Sequence, residues 1–195
     1  LPRSRGLGDV YKRQTLNNNS DLTIAAGCTD LFPTTNNISL NKNVLDITNI
    51  KSIRGFQFND QNTKIGAATT WTDIINENLP NCYDMLKACA KEVGSIQIQN
   101  LGTIGGNICN ASPAADSIPC LLSLDAKIEL SSKNNKRTIP IDEFIFGARK
   151  TKLKPGELLT SVIISREKDK GFSSFKKIGA RKYLVRSISM VACYI

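Results

Sequence analysis

Eighteen residues, Gln99 to Asp116 (QNLGTIGGNICNASPAAD), set Gly102, Gly105 and Gly106 beside Thr103, Asn107, Asn110 and Ser112, with one charge at the far end. Glycines remove Cβ atoms where a backbone turns tightly or comes close to a ligand. Hydroxyls and amides next to exposed main-chain N–H groups make an anion cradle, in which successive donors surround a phosphate without a positive side chain. The same composition also serves as a Gly-rich connection between two packed elements. In either role the stretch is expected to be non-helical. Upstream, Ile24 to Leu31 (IAAGCTDL) ends an apolar run at Gly27-Cys28-Thr29-Asp30, so that a strand delivers a turn whose N–H groups can point at a ligand. Nothing in the chain supplies acid–base or nucleophilic catalysis: it has no histidine, no G-x-S-x-G and no clustered pair of carboxylates. Any reaction chemistry must come from a bound group.

Six cysteines, Cys28, Cys82, Cys89, Cys109, Cys120 and Cys193, are scattered without a C-x-x-C. With no histidine to complete a set, a zinc or Rieske-type site is excluded, and so is an iron–sulfur cluster carried by this chain. They read as reduced, mostly buried thiols. Cys28 is either a small filler or a redox-active thiol. The net charge of +9 is uneven: Lys133 to Arg186 holds fifteen Lys or Arg against five acids, whereas Thr15 to Ser132 holds seven against eleven. These bases are spread over strands and turns with few stacking aromatics, so nucleic-acid binding is not expected. A solvated face, an acidic partner or a dinucleotide phosphate suits them better. No window approaches the roughly 18 apolar residues of a membrane span, and no apolar segment follows the basic N-terminus as in a signal peptide. A cytoplasmic home is the expectation.

The elements that must position the two loops follow from periodicity. Asp21 to Ala26 suits a buried parallel strand, Val44 to Thr48 a second, and Ile53–Phe58 with Thr63–Ala67 a hairpin about Asn59-Asp60-Gln61-Asn62. Thr70 or Thr72 caps a short helix ended by Pro80. Cys82 to Val93 is the clearest helix, with Met85 or Leu86, Cys89, Ala90 and Val93 on one face and Gly94 as the stop. Ser95 to Gln99 alternates as a strand does. Ile118 to Leu124 is an apolar helical turn or two, for which Asp116 is a candidate N-cap. Ala126–Leu130 and Lys136–Ile139 form a hairpin, Pro155-Gly156 a turn, and Ser161 to Ser165 a strand. Leu1 to Gln14 has no period of either kind and is set aside as extraneous.

TIGGNICNASPAAD resembles the second FAD-binding motif of the flavoprotein (medium) subunits of molybdenum hydroxylases, the xanthine dehydrogenase and carbon monoxide dehydrogenase family. IAAGCTDL resembles the first flavin motif of the same family, in the right order and at about the right distance, and the resemblance runs from about Thr15 to Ile195. It implies an α+β, two-subdomain PCMH-type (vanillyl-alcohol-oxidase-like) FAD-binding fold over residues 15–168, with halves of about 15–70 and 71–168. Residues 172–195 would then be the truncated start of a small α+β C-terminal domain. Non-covalent FAD would be held by Ile24, Ala25, Ala26, Gly27, Cys28, Thr29, Asp30 and Leu31 from the first motif. The second would add Thr103, Ile104, Gly105, Gly106 and Asn107. Many relatives have glycine where Cys28 stands. Asp116 matches an aspartate that hydrogen-bonds the flavin nucleotide, a role that competes with the N-cap. Leu159 matches a residue lining the flavin pocket, though a leucine at a strand start is as well explained by the core. In Phe172–Met190, F-x-K-x-G-x-R gives Phe175, Lys177, Gly179 and Arg181. The family's lysine at Lys177 approaches the flavin, where a cation favours the anionic reduced form; a surface lysine on a basic strand is the other reading. By the same resemblance, electrons from a molybdopterin centre on a large partner subunit pass through [2Fe–2S] clusters on a small iron–sulfur subunit to FAD, then to NAD or another acceptor. Two other outcomes stay open: a non-redox nucleotide- or polyanion-binding module, and an inactive fragment.

Overall fold

The computed structural model describes residues 22–33, 43–181 and 186–195. The reading of Leu1–Gln14 and part of that of Phe172–Met190 lie outside the described residues. Two short strands, β1 (Leu22–Ala25) and β2 (Asn43–Asp46), pair in parallel as a layer of their own. Next come β3 (Phe56–Phe58) and β4 (Asn62–Gly66), joined by the expected turn, in which the Asn59 side chain accepts from the N–H groups of Gln61 and Asn62. The hairpin β5 (Lys127–Ser131) and β6 (Lys136–Pro140) also forms as anticipated, and β9 spans Leu158–Ser165. Together they build a five-stranded antiparallel sheet in the order β3-β4-β9-β5-β6. This sheet crosses the expected division near residue 70, because β4 bonds along β9 rather than to the β1–β2 layer. Alternation explains its two faces. Ile65, Ile128, Val162 and Ile164 are fully buried in the main core, while Lys64, Glu129 and Ser161 meet on the other side.

Helices cover the apolar face: α1 (Trp71–Asn76), α2 (Asp84–Glu92), α4 (Ile104–Asn110), α5 (Ser117–Ser123) and the single turn α6 (Ile141–Phe144), while α3 (Ile96–Leu101) buries no residue and lies against α1. Thr70 is the cap of α1, in a reciprocal capping box with Asp73. Helix α2 buries Met85, Leu86, Cys89 and Ala90, the stripe its spacing predicts. Two small antiparallel pairs complete the chain, β7 (Ile145–Gly147) with β8 (Lys150–Thr151), and β10 (Ser173–Gly179) with β11 (Ser187–Tyr194).

Two expectations fail. The segment expected as a strand over Ser95–Gln99 is helix α3, held by Gln99 N–H donating to Ser95 O at 2.9 Å and Gly102 N–H to Ile98 O at 2.7 Å. Five residues of alternation fit either period, and among the described residues no strand lies alongside to pair with it. The Gly-rich stretch expected to be non-helical contains α4. Its Thr103 hydroxyl caps Gly106 N–H, and Ile104 and Ile108, one turn apart, are both buried in the core. Burial of that i, i+4 pair outweighs the helix-weakening effect of two glycines, about 1 kcal/mol each.

Candidate functional site

The β1–β2 layer meets the sheet through a second apolar cluster of Leu45, Ile47, Ile50, Ile53, Ala68 and Leu158. This contact brings the loop after β1 onto the loop before α4. A Cβ on Gly27 would overlap Leu101 O and sit 2.9 Å from the Cα of Gly102. Gly27 is thus glycine because two backbones touch there. Between the loops opens a cleft of about 890 Å³.

One wall is the first loop: Ile24, Ala26, Gly27, Cys28, Thr29, Asp30 and Leu31 all line the cleft. Cys28 has φ 56, the left-handed region that glycine adopts without strain. Burial, with Asp46 nearby, raises its thiol above the ordinary value, so it stays protonated near neutrality and acts as a filler. No hydrogen bond among the described residues takes the N–H of Gly27, Cys28 or Thr29. The opposite wall carries Thr103, Gly105, Gly106, Asn107 and, deeper, Leu159. There the N–H groups are used inside the protein: Ile104 donates to Thr69 O, Gly105 to Ala67 O and Gly106 to the Thr103 hydroxyl, at 2.9–3.1 Å. The row of open donors read into the second loop therefore belongs to the first. The two glycines of α4 also differ. A Cβ on Gly105 would lie 2.7 Å from Ala67, whereas on Gly106 it would meet only Thr103 Oγ1 at 3.0 Å and Ala26 Cβ at 3.9 Å, with space beyond.

Four of the anticipated residues do not line this cleft. Ala25 is buried on β1 and Ile104 is in the core. Asp116 and Lys177 bind one another: Lys177 Nζ stands 2.9 Å from Asp116 Oδ2, both side chains nearly inaccessible at 5% and 7%. Lys177 also donates to Glu92 O at 3.1 Å, and the Ser187 hydroxyl donates to Asp116. Asp116 precedes α5 but makes no side-chain cap. The pair instead joins α5 to the β10–β11 hairpin.

Several cleft residues escaped the sequence reading. Trp71, 1% exposed, lines it beside Gly102; Arg149, Glu157 and Arg186 supply its charges together with Asp30. None carries a local signal, since each arrives from a distant element. Cys109 also reaches the cleft, but burial pushes its thiol up to about 12. No group of three or more His, Cys, Asp or Glu able to hold a metal occurs among the described residues.

Residues 11–166 match the family described as the FAD binding domain in molybdopterin dehydrogenase. The chain belongs to that family. It is 36% identical over 200 residues to the nicotinate dehydrogenase FAD-subunit of Eubacterium barkeri, which covers 96% of this chain and 63% of the relative. With the xanthine dehydrogenase FAD-binding subunit of Escherichia coli O157:H7 it shares 36% identity over 122 residues, 62% of this chain and 42% of the relative. In structure it superimposes on carbon monoxide dehydrogenase from Oligotropha carboxidovorans with a TM-score of 0.86 at 25% identity, over 94% of this chain and 65% of the other. The α+β flavin-domain fold anticipated for the chain is the one it has. It spans under two thirds of the length of these relatives. FAD fits the cleft on three counts found in this chain: open N–H donors on one side, a Cβ-sized gap at Gly106 on the other, and a volume at the upper end for a small-molecule site. Among the described residues no helix is long and apolar enough to cross a membrane.

Proposed function

We propose that this chain is the flavin-holding part of an electron-transfer subunit in a molybdopterin-dependent dehydrogenase. One observation carries it: two glycine loops far apart in sequence close on one cleft, with Gly27 against Gly102 and, on the first loop lining the gap, N–H donors without a partner among the described residues. FAD, when bound, supplies the two-electron redox chemistry that no side chain here can. The chain binds and orients it. Gly27, Cys28 and Thr29 offer N–H donors to its diphosphate, Gly106 leaves room for it, and Ile24, Ile47 and Leu159 exclude water from its apolar parts. The Asp116–Lys177 pair, which does not line this cleft, ties the start of α5 to the β10–β11 hairpin. Partner chains are proposed as the electron source, a small iron–sulfur subunit and a large molybdopterin-binding subunit, with NAD or another carrier as acceptor. Six free cysteines suit a reducing cytoplasm.

A general polyanion-binding module is less well supported, because the cleft balances Arg149 and Arg186 against Asp30 and Glu157 instead of gathering cations. The test is direct. The purified protein is expected to be yellow and to release FAD, not FMN, on denaturation; a colourless protein that takes up no FAD would overturn the assignment.

A further inference from the structure

Arg149 sits at the turn between β7 and β8 with φ 55, and its N–H donates at 2.8 Å to Ala111 O, just past the end of α4. Ala111 is itself left-handed at φ 44. The turn is thereby pinned to the second loop by backbone alone, and the side chain is left to reach across the mouth. Its Nη1 donates to Asn110 Oδ1 at 2.6 Å on the second-loop side and to Asp30 Oδ2 at 3.2 Å on the first. Among the described residues, Nε and Nη2 have no partner, and Arg149 lines the cleft. Asp30 directly follows the three open N–H groups, so its carboxylate is poorly placed beside a doubly charged diphosphate unless a cation offsets it.

We propose that Arg149 is a latch between the two flavin loops, a positioning residue that joins Asp30 to Asn110 and cancels the Asp30 charge where the cofactor's diphosphate lies. This rests on the flavin reading above and adds to it the residue that sets diphosphate affinity. Arg149 and Asp30 are each about half exposed. The latch is accordingly modest, a few-fold effect that salt weakens.

The test titrates FAD and riboflavin into the apoprotein, following quenching of Trp71, the chain's only tryptophan. Arg149→Ala is expected to weaken FAD about fivefold at low salt. Riboflavin, which has no phosphate, should change by less than about twofold by the same reasoning. Adding Asp30→Asn to Arg149→Ala should restore most of the loss, since it removes the charge that Arg149 offset. Arg149→Lys keeps the charge on a shorter side chain and should fall between, and it serves as the test if the alanine variant folds poorly. Unchanged FAD affinity, an equal loss for FAD and riboflavin, or no recovery in the double variant would each overturn the latch. A wild-type chain that binds neither flavin would instead remove the flavin assignment.

Discussion

At Cys28 a side chain occupies a left-handed position, φ 56, that glycine adopts without strain. A non-glycine residue there costs about 1–2 kcal/mol, partly offset by the extra freedom glycine has in the unfolded chain, about 0.5–1 kcal/mol. Cys28→Gly should therefore raise stability by about 0.5 kcal/mol in a denaturant titration without reducing flavin binding. The glycines of α4 separate by the same geometric test. Gly105→Ala presses a methyl to 2.7 Å from Ala67 and is expected to lose about 1–3 kcal/mol of stability. At Gly106 the added methyl meets only Thr103 Oγ1 at 3.0 Å, so Gly106→Val is expected to fold and to lose flavin. Thermal melts paired with flavin content distinguish the two; equal loss of stability at both positions would refute the distinction.

At the scale of elements, two ionic clusters join parts of the chain that no local pattern connects. Asp116 and Lys177 tie α5 to the β10–β11 hairpin while almost wholly buried. Asp116→Ala removes the buried carboxylate 2.9 Å from the Lys177 ammonium, leaving Glu92 Oε2 at 3.7 Å, and should cost about 3 kcal/mol, more than the roughly 0.5–2 kcal/mol expected of a lost N-cap. A loss within the cap range would refute the pairing role. On the outer face of the sheet, Glu129 receives Lys64 at 2.9 Å and Lys136 at 2.8 Å, with Thr160 and Ser161 completing its shell. Burial alone would raise this carboxyl, but the bonds from Lys136, Lys64 and Thr160 prevail and hold it down at about 2, against an ordinary 4.5. A depressed carboxyl contributes stability that is complete above its unfolded value and is lost as pH falls toward the folded one. Acid should thus remove on the order of 2 kcal/mol between about pH 4.5 and pH 2. Glu129→Gln should flatten that limb of the pH–stability curve while sparing the flavin cleft, which lies elsewhere.

For the whole molecule, assembly turns on one contact, the β1–β2 layer closing on the sheet so that Gly27 meets Gly102. Trp71 lies against that junction and lines the cleft, so flavin binding should quench its emission strongly; unchanged emission on saturation with FAD would show the cleft is not the flavin site. Much of this was legible beforehand. The α2 stripe and the two hairpin turns follow from residue types at short spacing, because turn chemistry and i, i+4 burial are local properties, while the flavin family follows from the resemblance of two motifs to known relatives. Helix α4 was hidden because two glycines mask a helix whose support is the burial of Ile104 and Ile108 by other elements. Arg149 in the cleft and Asp116 on Lys177 were likewise invisible, since each contact joins elements far apart in the sequence. The amino-acid order alone marked two loops as candidates for a dinucleotide. Folding decided which of their N–H groups remain open and which charges surround them, because both depend on what packs against each loop in three dimensions.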